Sequence, residues 1–248
     1  MKKLKMLIFI PTYNECDNVE KMCNEINTLD LGCDMLFVDD NSPDGTGEIL
    51  ERLANKYSNI IVKHRQGKQG IGSAHKVGIS YAYANGYDLL ITMDSDFTHN
   101  PKDLPLLLAV NNGYDVTIGS RFIKKNSLPG WNLFRKSLTH FGHFLTKYLL
   151  GVTQDASTAF RIYNLRNISS DVFQKVTSNS YPFFFESLFL LKTNGYKFNE
   201  IPIVLSARTY GHSKMNFKEA FYGGLFLLWL AIVENLNLRR FKLERKCR

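Results

Sequence analysis

Four times before residue 94 this chain runs a short, uninterrupted apolar stretch into a polar turn. The stretches are Leu7-Ile8-Phe9-Ile10, Met35-Leu36-Phe37-Val38, Ile60-Ile61-Val62 and Leu89-Leu90-Ile91. Each is too short for a helix, and each is continuously apolar, as strands covered on both faces are. Between them, Val19, Met22, Cys23, Ile26 and Leu29 recur at helical spacing, as do Ile49, Leu50, Leu53, Ala54 and Tyr57, and residues 73–85 continue the pattern. Asp17 and Glu20 are spaced as a capping box for the first helix. A further helix is expected near Pro101 with Asn100 as its cap, and a fifth strand over 115–119. Strands and helices in strict alternation specify an α/β fold with a mostly parallel central sheet. The 248 residues contain no internal repeat, low-complexity linker or clear domain boundary.

Chemistry collects where the strands end. The fourth strand stops on Met93-Asp94-Ser95-Asp96, which delivers two carboxylates to the edge where open α/β sheets bind ligands. Mg²⁺ and Mn²⁺ are usually held by one or two carboxylates plus substrate phosphates, so Asp94 and Asp96 suggest a diphosphate-bearing substrate. Aspartate is also common in turns, so the pair gains its meaning from its surroundings. Pro11-Thr12-Tyr13-Asn14-Glu15 follows the first strand, and Asp39-Asp40 closes the second. Carboxylates at that position can accept hydrogen bonds from a base or ribose. Residues 41–46 read as a turn and helix cap. Gly67-Lys68-Gln69-Gly70-Ile71-Gly72 lacks the spacing and the Gly-Lys-Ser/Thr end of a Walker phosphate loop, and is expected to shape a loop before the third helix.

The second half has a different texture. Residues 131–150 read as an amphipathic helix carrying Arg135, Lys136, His140, His143 and Lys147 among aromatic and aliphatic side chains. Residues 220–233 are 14 uncharged, mostly apolar positions between Glu219 and Glu234. A spanning helix needs roughly 20 apolar residues, so this length fits an interfacial or a core helix. The formal net charge is +8, and Arg239, Arg240, Lys242, Arg245, Lys246 and Arg248 crowd the last ten positions. A basic tail beside an apolar helix suits an anionic membrane surface; a packed terminal helix with a solvated tail is the alternative. Nucleic acid is not the expected partner, because the aromatics sit in apolar stretches and no recognition motif is present. Cys16, Cys23, Cys33 and Cys247 have no Cys-x-x-Cys spacing and read as reduced thiols of a cytosolic protein. The apolar run that ends at Pro11 is too short for a signal-peptide core.

Taken in order, Pro11-Thr12-Tyr13-Asn14-Glu15, Val38 through Thr46, Asp94-Ser95-Asp96, Gly119-Ser120-Arg121 and Tyr210-Gly211-His212-Ser213-Lys214 form a combination. It resembles the inverting A-type glycosyltransferases (glycosyltransferase family 2), and among them the dolichyl-phosphate and polyprenyl-phosphate mannose synthases, over about residues 6–230. The resemblance implies a single Rossmann-like nucleotide-sugar-binding domain over residues 1–220. Residues 221–248 would then be an apolar helix and basic tail for peripheral attachment to the cytoplasmic face of a membrane. It implies a nucleotide-sugar donor, GDP-mannose foremost, a Mg²⁺ or Mn²⁺ ion, inversion at the anomeric carbon and a polyprenyl monophosphate acceptor. Pro11, Tyr13 and Glu15 would contact the donor nucleoside, either Asp39 or Asp40 its base, and Asp94 and Asp96 the metal. Arg121, Arg135 and Thr139 would hold the acceptor phosphate, and Arg208 would reach a donor or acceptor phosphate. Asp96, Arg121, Arg135 and Arg208 would carry the catalysis. Three departures stand out: Thr98 where the family often has Gln or Ser, Thr139 for Ser, and Thr158-Ala159 for Gly-Ser within residues 155–163. The last bears on the donor sugar more than on the reaction class.

A phosphate acceptor is also chemically coherent. A sugar hydroxyl stays protonated at neutral pH and needs a general base. A phosphate monoester, with a second pKa near ~6, is largely a dianion and attacks unaided. It does need cations, and arginine forks suit phosphate. The competing reading is a transferase of the same fold that acts on a sugar hydroxyl in surface-glycan assembly, with a UDP-sugar as a possible donor. In that case Glu186 would be the base; otherwise it would be a partner for one of the arginines. A non-catalytic nucleotide-binding module would be expected to have broken metal or phosphate positions, and these are intact.

Overall fold

A computed structural model describes residues 4–205, 217–236 and 240–243. The apolar runs form the expected strands: β1 (Met6–Thr12), β2 (Asp34–Asp39), β3 (Ile60–His64), β4 (Leu89–Thr92) and β5 (Val116–Ser120). Helices α1 (Val19–Thr28), α2 (Thr46–Lys56), α3 (Ile71–Ala84) and the short α4 (Leu104–Ala109) lie between them. Then follow α5 (Leu133–Leu150), β6 (Arg161–Asn164), α6 (Ser170–Gln174), α7 (Phe183–Thr193), β7 (Phe198–Pro202) and α8 (Phe217–Leu236).

The seven strands form one sheet in the order β3-β2-β1-β4-β6-β5-β7. β1 runs parallel to both β2 and β4, whereas β6 is antiparallel to β4 and β5. From β1 the chain winds outward through β2 to β3 and then returns to lay β4 on the other side of β1. That reversal opens a crevice at the carboxyl ends of β1 and β4, the position where open α/β sheets take ligands.

Alternation along the strands divides the core between the two faces of the sheet. Leu7 and Phe9 join Ile79, Phe183, Phe189, Leu230 and Phe241 on the face covered by α3, α7 and α8. Ile8 and Ile10 join Val19, Met22, Leu50 and Leu104 on the other. Helix α3 lies close to β1 at Gly78, where a Cβ would sit 2.3 Å from the Phe9 ring.

Several expectations change on folding. The Asp17–Glu20 capping box does not form: Asn18 occupies the N-cap position, its amide donates to Glu15, and Glu20 pairs with Arg52. Asn100 does cap, accepting from the Lys102 N–H, but its first turn is a 3₁₀ turn over Pro101–Asp103 before α4 begins. Helix α7 gives no amphipathic signal because every residue from Phe183 through Leu191 is buried. The apolar segment 220–233 is both core and surface. Leu227, Leu230 and Ala231 are buried against the catalytic half, while Phe221, Leu225 and Ile232 are more than half exposed. Beyond α8, Phe241 is buried and its carbonyl accepts from Asn194, whose side chain also accepts from the Leu243 N–H. The core therefore continues across residue 220, inside α8. No helix among the described residues is long and apolar enough to cross a membrane.

Candidate active site

A cavity of about 480 Å³ opens at the crevice, walled by the ends of β1, β2 and β4 on one side and by α5 and α8 on the other. Pro11, Tyr13, Glu15, Asp40, Asp94, Asp96, Arg121, Arg135 and Thr139 all line it. Asp39 does not. Arg208 and residues 210–214 lie outside the described residues.

The two candidate base-binding carboxylates separate cleanly. Asp39 is 1 % exposed and turns inward, accepting from the Ser42 N–H and hydroxyl and from Thr12. It closes the turn that leads into α2. Asp40 reaches the cavity, its carboxylate gripped by Nε and Nη2 of Arg65 at 2.5 and 2.6 Å. Beside it, Lys68 stands 4.3 Å over the Tyr13 ring. The glycines near Lys68 serve close packing: a Cβ on Gly70 would meet the Asn179 carbonyl at 2.2 Å, and one on Gly72 the Phe183 Cβ at 2.6 Å.

At the end of β4 the two carboxylates are oriented by neighbours. The backbone N–H of Asp94 donates to Nδ1 of the buried His99, 2.9 Å away, and the His99 ring stacks on Phe160. That nitrogen spends its lone pair on the amide, so its 3.6 Å approach to the Asp94 carboxylate is proximity and not an ion pair. Asp96 accepts from both the N–H and the hydroxyl of Thr98 at Oδ1. Thr98 thus orients the Asp96 carboxylate through both its backbone and its side chain. No group of three or more His, Cys, Asp or Glu among the described residues could hold a metal ion by itself. Two hard carboxylates in a pocket fit Mg²⁺ or Mn²⁺ only when a substrate supplies further oxygens, as a diphosphate does.

The arginines differ in kind. Arg121 follows β5 and is 7 % exposed; its Nε and Nη2 fork onto fully buried Asp155 at 2.7 and 2.6 Å. Burial alone would raise the Asp155 carboxyl and lower the guanidinium. The partner's charge and the hydrogen bonds together outweigh burial, leaving Asp155 below the usual carboxylate range and Arg121 above its own usual value. Arg135 is half-buried on α5, its guanidinium 3.6 Å from the centre of the Trp131 ring. Thr139 follows one helical turn later on the same wall.

Glu186 takes neither of its expected roles. It is 1 % exposed and outside the cavity, accepting from the Thr177 N–H and hydroxyl and from the Ser178 N–H. It braces a loop and pairs with no arginine among the described residues. Conversely, His99, Lys68, Trp131, Ser157 and Glu219 line the cavity without having been singled out as site residues. Only His99 carried a local signal, its position just past the carboxylate pair.

These features, a mostly parallel sheet with a switch point and paired carboxylates at its edge, suit a nucleotide ligand that carries phosphate. The model of "Glycosyl transferase family 2" matches residues 7–176, and the chain belongs to that family. It is 33 % identical to the polyprenol monophosphomannose synthase of Mycolicibacterium smegmatis over 88 % of this chain and 84 % of that protein. It is 31 % identical to the undecaprenyl-phosphate mannosyltransferase of Micrococcus luteus over 86 % of this chain and 88 % of that one. Among solved structures it shares its fold with glucosyl-3-phosphoglycerate synthase from Mycobacterium tuberculosis, determined with Mn²⁺, UDP and glucosyl-3-phosphoglycerate. That likeness has a TM-score of 0.59 at 17 % identity and covers 93 % of this chain and 79 % of the other.

Proposed function

We propose that this chain transfers mannose from GDP-mannose, with inversion, to a polyprenyl monophosphate on the cytoplasmic face of a membrane. The observation that carries this reading is the make-up of a single cavity. Asp94 and Asp96 stand at the sheet edge, Arg135 and Thr139 on the opposing helix. The names of the two mannosyltransferase relatives support the same sugar and the same acceptor class.

In this reading Pro11, Tyr13, Glu15 and Asp40 receive the nucleoside at the ends of β1 and β2. Asp94 and Asp96 would hold a Mg²⁺ or Mn²⁺ ion, which would supply Lewis-acid neutralisation of the leaving group. Arg135 and Thr139 hold the acceptor phosphate together with Arg121, which lines the same cavity, and Arg208 is assigned to a donor or acceptor phosphate. A phosphate oxygen bonds to the anomeric carbon, the bond from that carbon to the diphosphate oxygen breaks, and GDP departs. The nucleophile is already an anion at neutral pH, so no general base is required. The engagement of Glu186 with Thr177 and Ser178 agrees with that and weakens the sugar-hydroxyl alternative.

The membrane contact would be made by two helices. Leu133, Phe134 and Phe141 on α5 and Phe221, Leu225 and Ile232 on α8 are each more than half exposed. Exposed apolar faces of this kind beside basic residues suit peripheral attachment. The full-length protein should bind anionic vesicles at low salt, with high salt weakening only the electrostatic part. Failure to bind at any salt would remove the membrane from this reading.

The decisive assay offers GDP-mannose, UDP-glucose and other nucleotide sugars with polyprenyl phosphate and Mn²⁺, then extracts the lipid product. Mannosyl lipid from GDP-mannose alone is the expected result. Product only with a sugar-hydroxyl acceptor would favour the alternative.

A further inference from the structure

Among the most buried side chains in the molecule is a cation that lacks the partner buried cations ordinarily have. Arg161, the first residue of β6, is 0 % exposed. Its Nη1 donates to the Tyr163 hydroxyl and the Ser187 hydroxyl at 3.2 and 3.1 Å, and its Nη2 to the Ala156 carbonyl at 3.0 Å. All three acceptors are neutral, and Nε has none. The other well-buried arginines contrast with it: Arg65 is forked onto Asp40 and Arg121 onto Asp155, whereas no carboxylate pairs with Arg161 among the described residues.

Arginine cannot shed its charge in a protein, so an unpaired buried guanidinium is destabilising. The neighbourhood supplies hydrogen bonds but no countercharge among the described residues. His75 packs among Phe9, Phe183 and Phe184; burial first, and then the Arg161 charge, drive its pKa down to about 3, so it stays neutral. The guanidinium carbon lies 5.6 Å from the centre of the Phe184 ring. Phe184 and Ala156 both line the cavity, so the charge sits one side chain behind its wall. A retained instability beside a site points to function.

We infer that Arg161 is a positioning residue of this site. It ties the wall segment that runs from Ala156 to α7 through Ser187, and it lays a fixed positive charge behind that wall toward the phosphorylated substrates. This rests on the reading of the cavity as a phosphate-handling site. The same segment is held at its start by Arg121 on Asp155, so two buried arginines fix one stretch of wall: one is neutralised, and the other keeps its charge available to a bound anion.

The test compares wild type with Arg161→Met, Arg161→Gln and Arg161→Lys in the full chain. Three quantities are read: thermal midpoint, kcat and KM for mannosyl transfer, and calorimetric affinity for inorganic pyrophosphate with Mn²⁺. Arg161→Met should melt within about 3 °C of wild type or above it, because removing an unpaired buried charge is neutral or stabilising. Its kcat should fall about tenfold or more, since negative charge grows on the leaving diphosphate, and pyrophosphate should bind several-fold more weakly. Arg161→Lys should recover part of both by restoring charge without the fork. Unchanged kcat and pyrophosphate affinity in Arg161→Met would overturn the inference. So would collapse of both neutral variants with Arg161→Lys folded, which would make the arginine a folding element. If wild type fails to mannosylate polyprenyl phosphate, the proposed function falls while pyrophosphate affinity still decides the role of Arg161.

Discussion

The sheet-side wall of the cavity and the helix-side wall are built on opposite principles. On the sheet side each acidic group is fixed before any substrate arrives: Asp40 by Arg65, Asp96 by Thr98, the Asp94 backbone by His99, and Asp155 by Arg121. On the helix side, α5 buries only Thr146 and Leu150, and the half-buried Arg135 lies over the Trp131 ring. Preorganised charge suits a small, invariant group such as a nucleoside diphosphate. An exposed apolar wall beside a half-buried arginine suits a partner that brings its own apolar surface. The difference predicts that donor and acceptor sites here can be separated by mutation.

The largest expected effect lies at the end of β4. Asp94→Asn or Asp96→Asn should lower transfer about 10³-fold by weakening the cation at the diphosphate. Far-ultraviolet circular dichroism should stay native. Full turnover by both variants in metal-free buffer would break the sheet-side account.

Next in size is a stability effect. Arg121→Ala leaves Asp155 as an uncompensated buried carboxylate and should cost about 3 kcal/mol in urea unfolding. Arg135→Ala should cost much less in the same urea unfolding, because its side chain is only half-buried. Equal losses in the two variants would erase the contrast between the walls.

A smaller effect is written into pH. The folded state holds His75 at a pKa of about 3, below the ordinary 6.5. Between those values the unfolded chain binds a proton that the folded chain refuses, so stability falls as pH falls. The stability is fully present above pH 6.5 and is lost toward about 3, at about 1.4 kcal/mol per pH unit from this one group. His75→Leu should flatten that slope in urea titrations run from pH 7 to pH 4. An unchanged slope would assign the acid sensitivity elsewhere.

Much of the sheet side was legible in the sequence. β1, β2 and β4 are continuous apolar runs, and the residues that line the cavity stand directly after them, so local order was enough. What escaped depends on distance or on full burial. Nothing in spacing tells that Arg121 meets Asp155, 34 positions away, or that Asp39 turns inward while Asp40 turns out. β6 is four residues long and carries an arginine at its start, and α7 has no polar face to give it a period. Glu186 looked free for chemistry because its partners, Thr177 and Ser178, meet it only once α7 has formed. The apolar stretch of α8 was legible as apolar, but its split into a packed face and an exposed face follows from the helices beside it.

The most direct test of separable donor and acceptor walls is one pair of titrations on Arg135→Ala. The first is transfer rate against polyprenyl phosphate concentration, and the second is GDP affinity by calorimetry. Loss of a charge-assisted phosphate contact should raise the apparent KM for the lipid about tenfold and leave GDP affinity within about twofold of wild type. Arg135→Lys should recover part of the loss, keeping the charge without the fork. Weakened GDP binding with an unchanged lipid KM would contradict the account and move the acceptor phosphate away from α5.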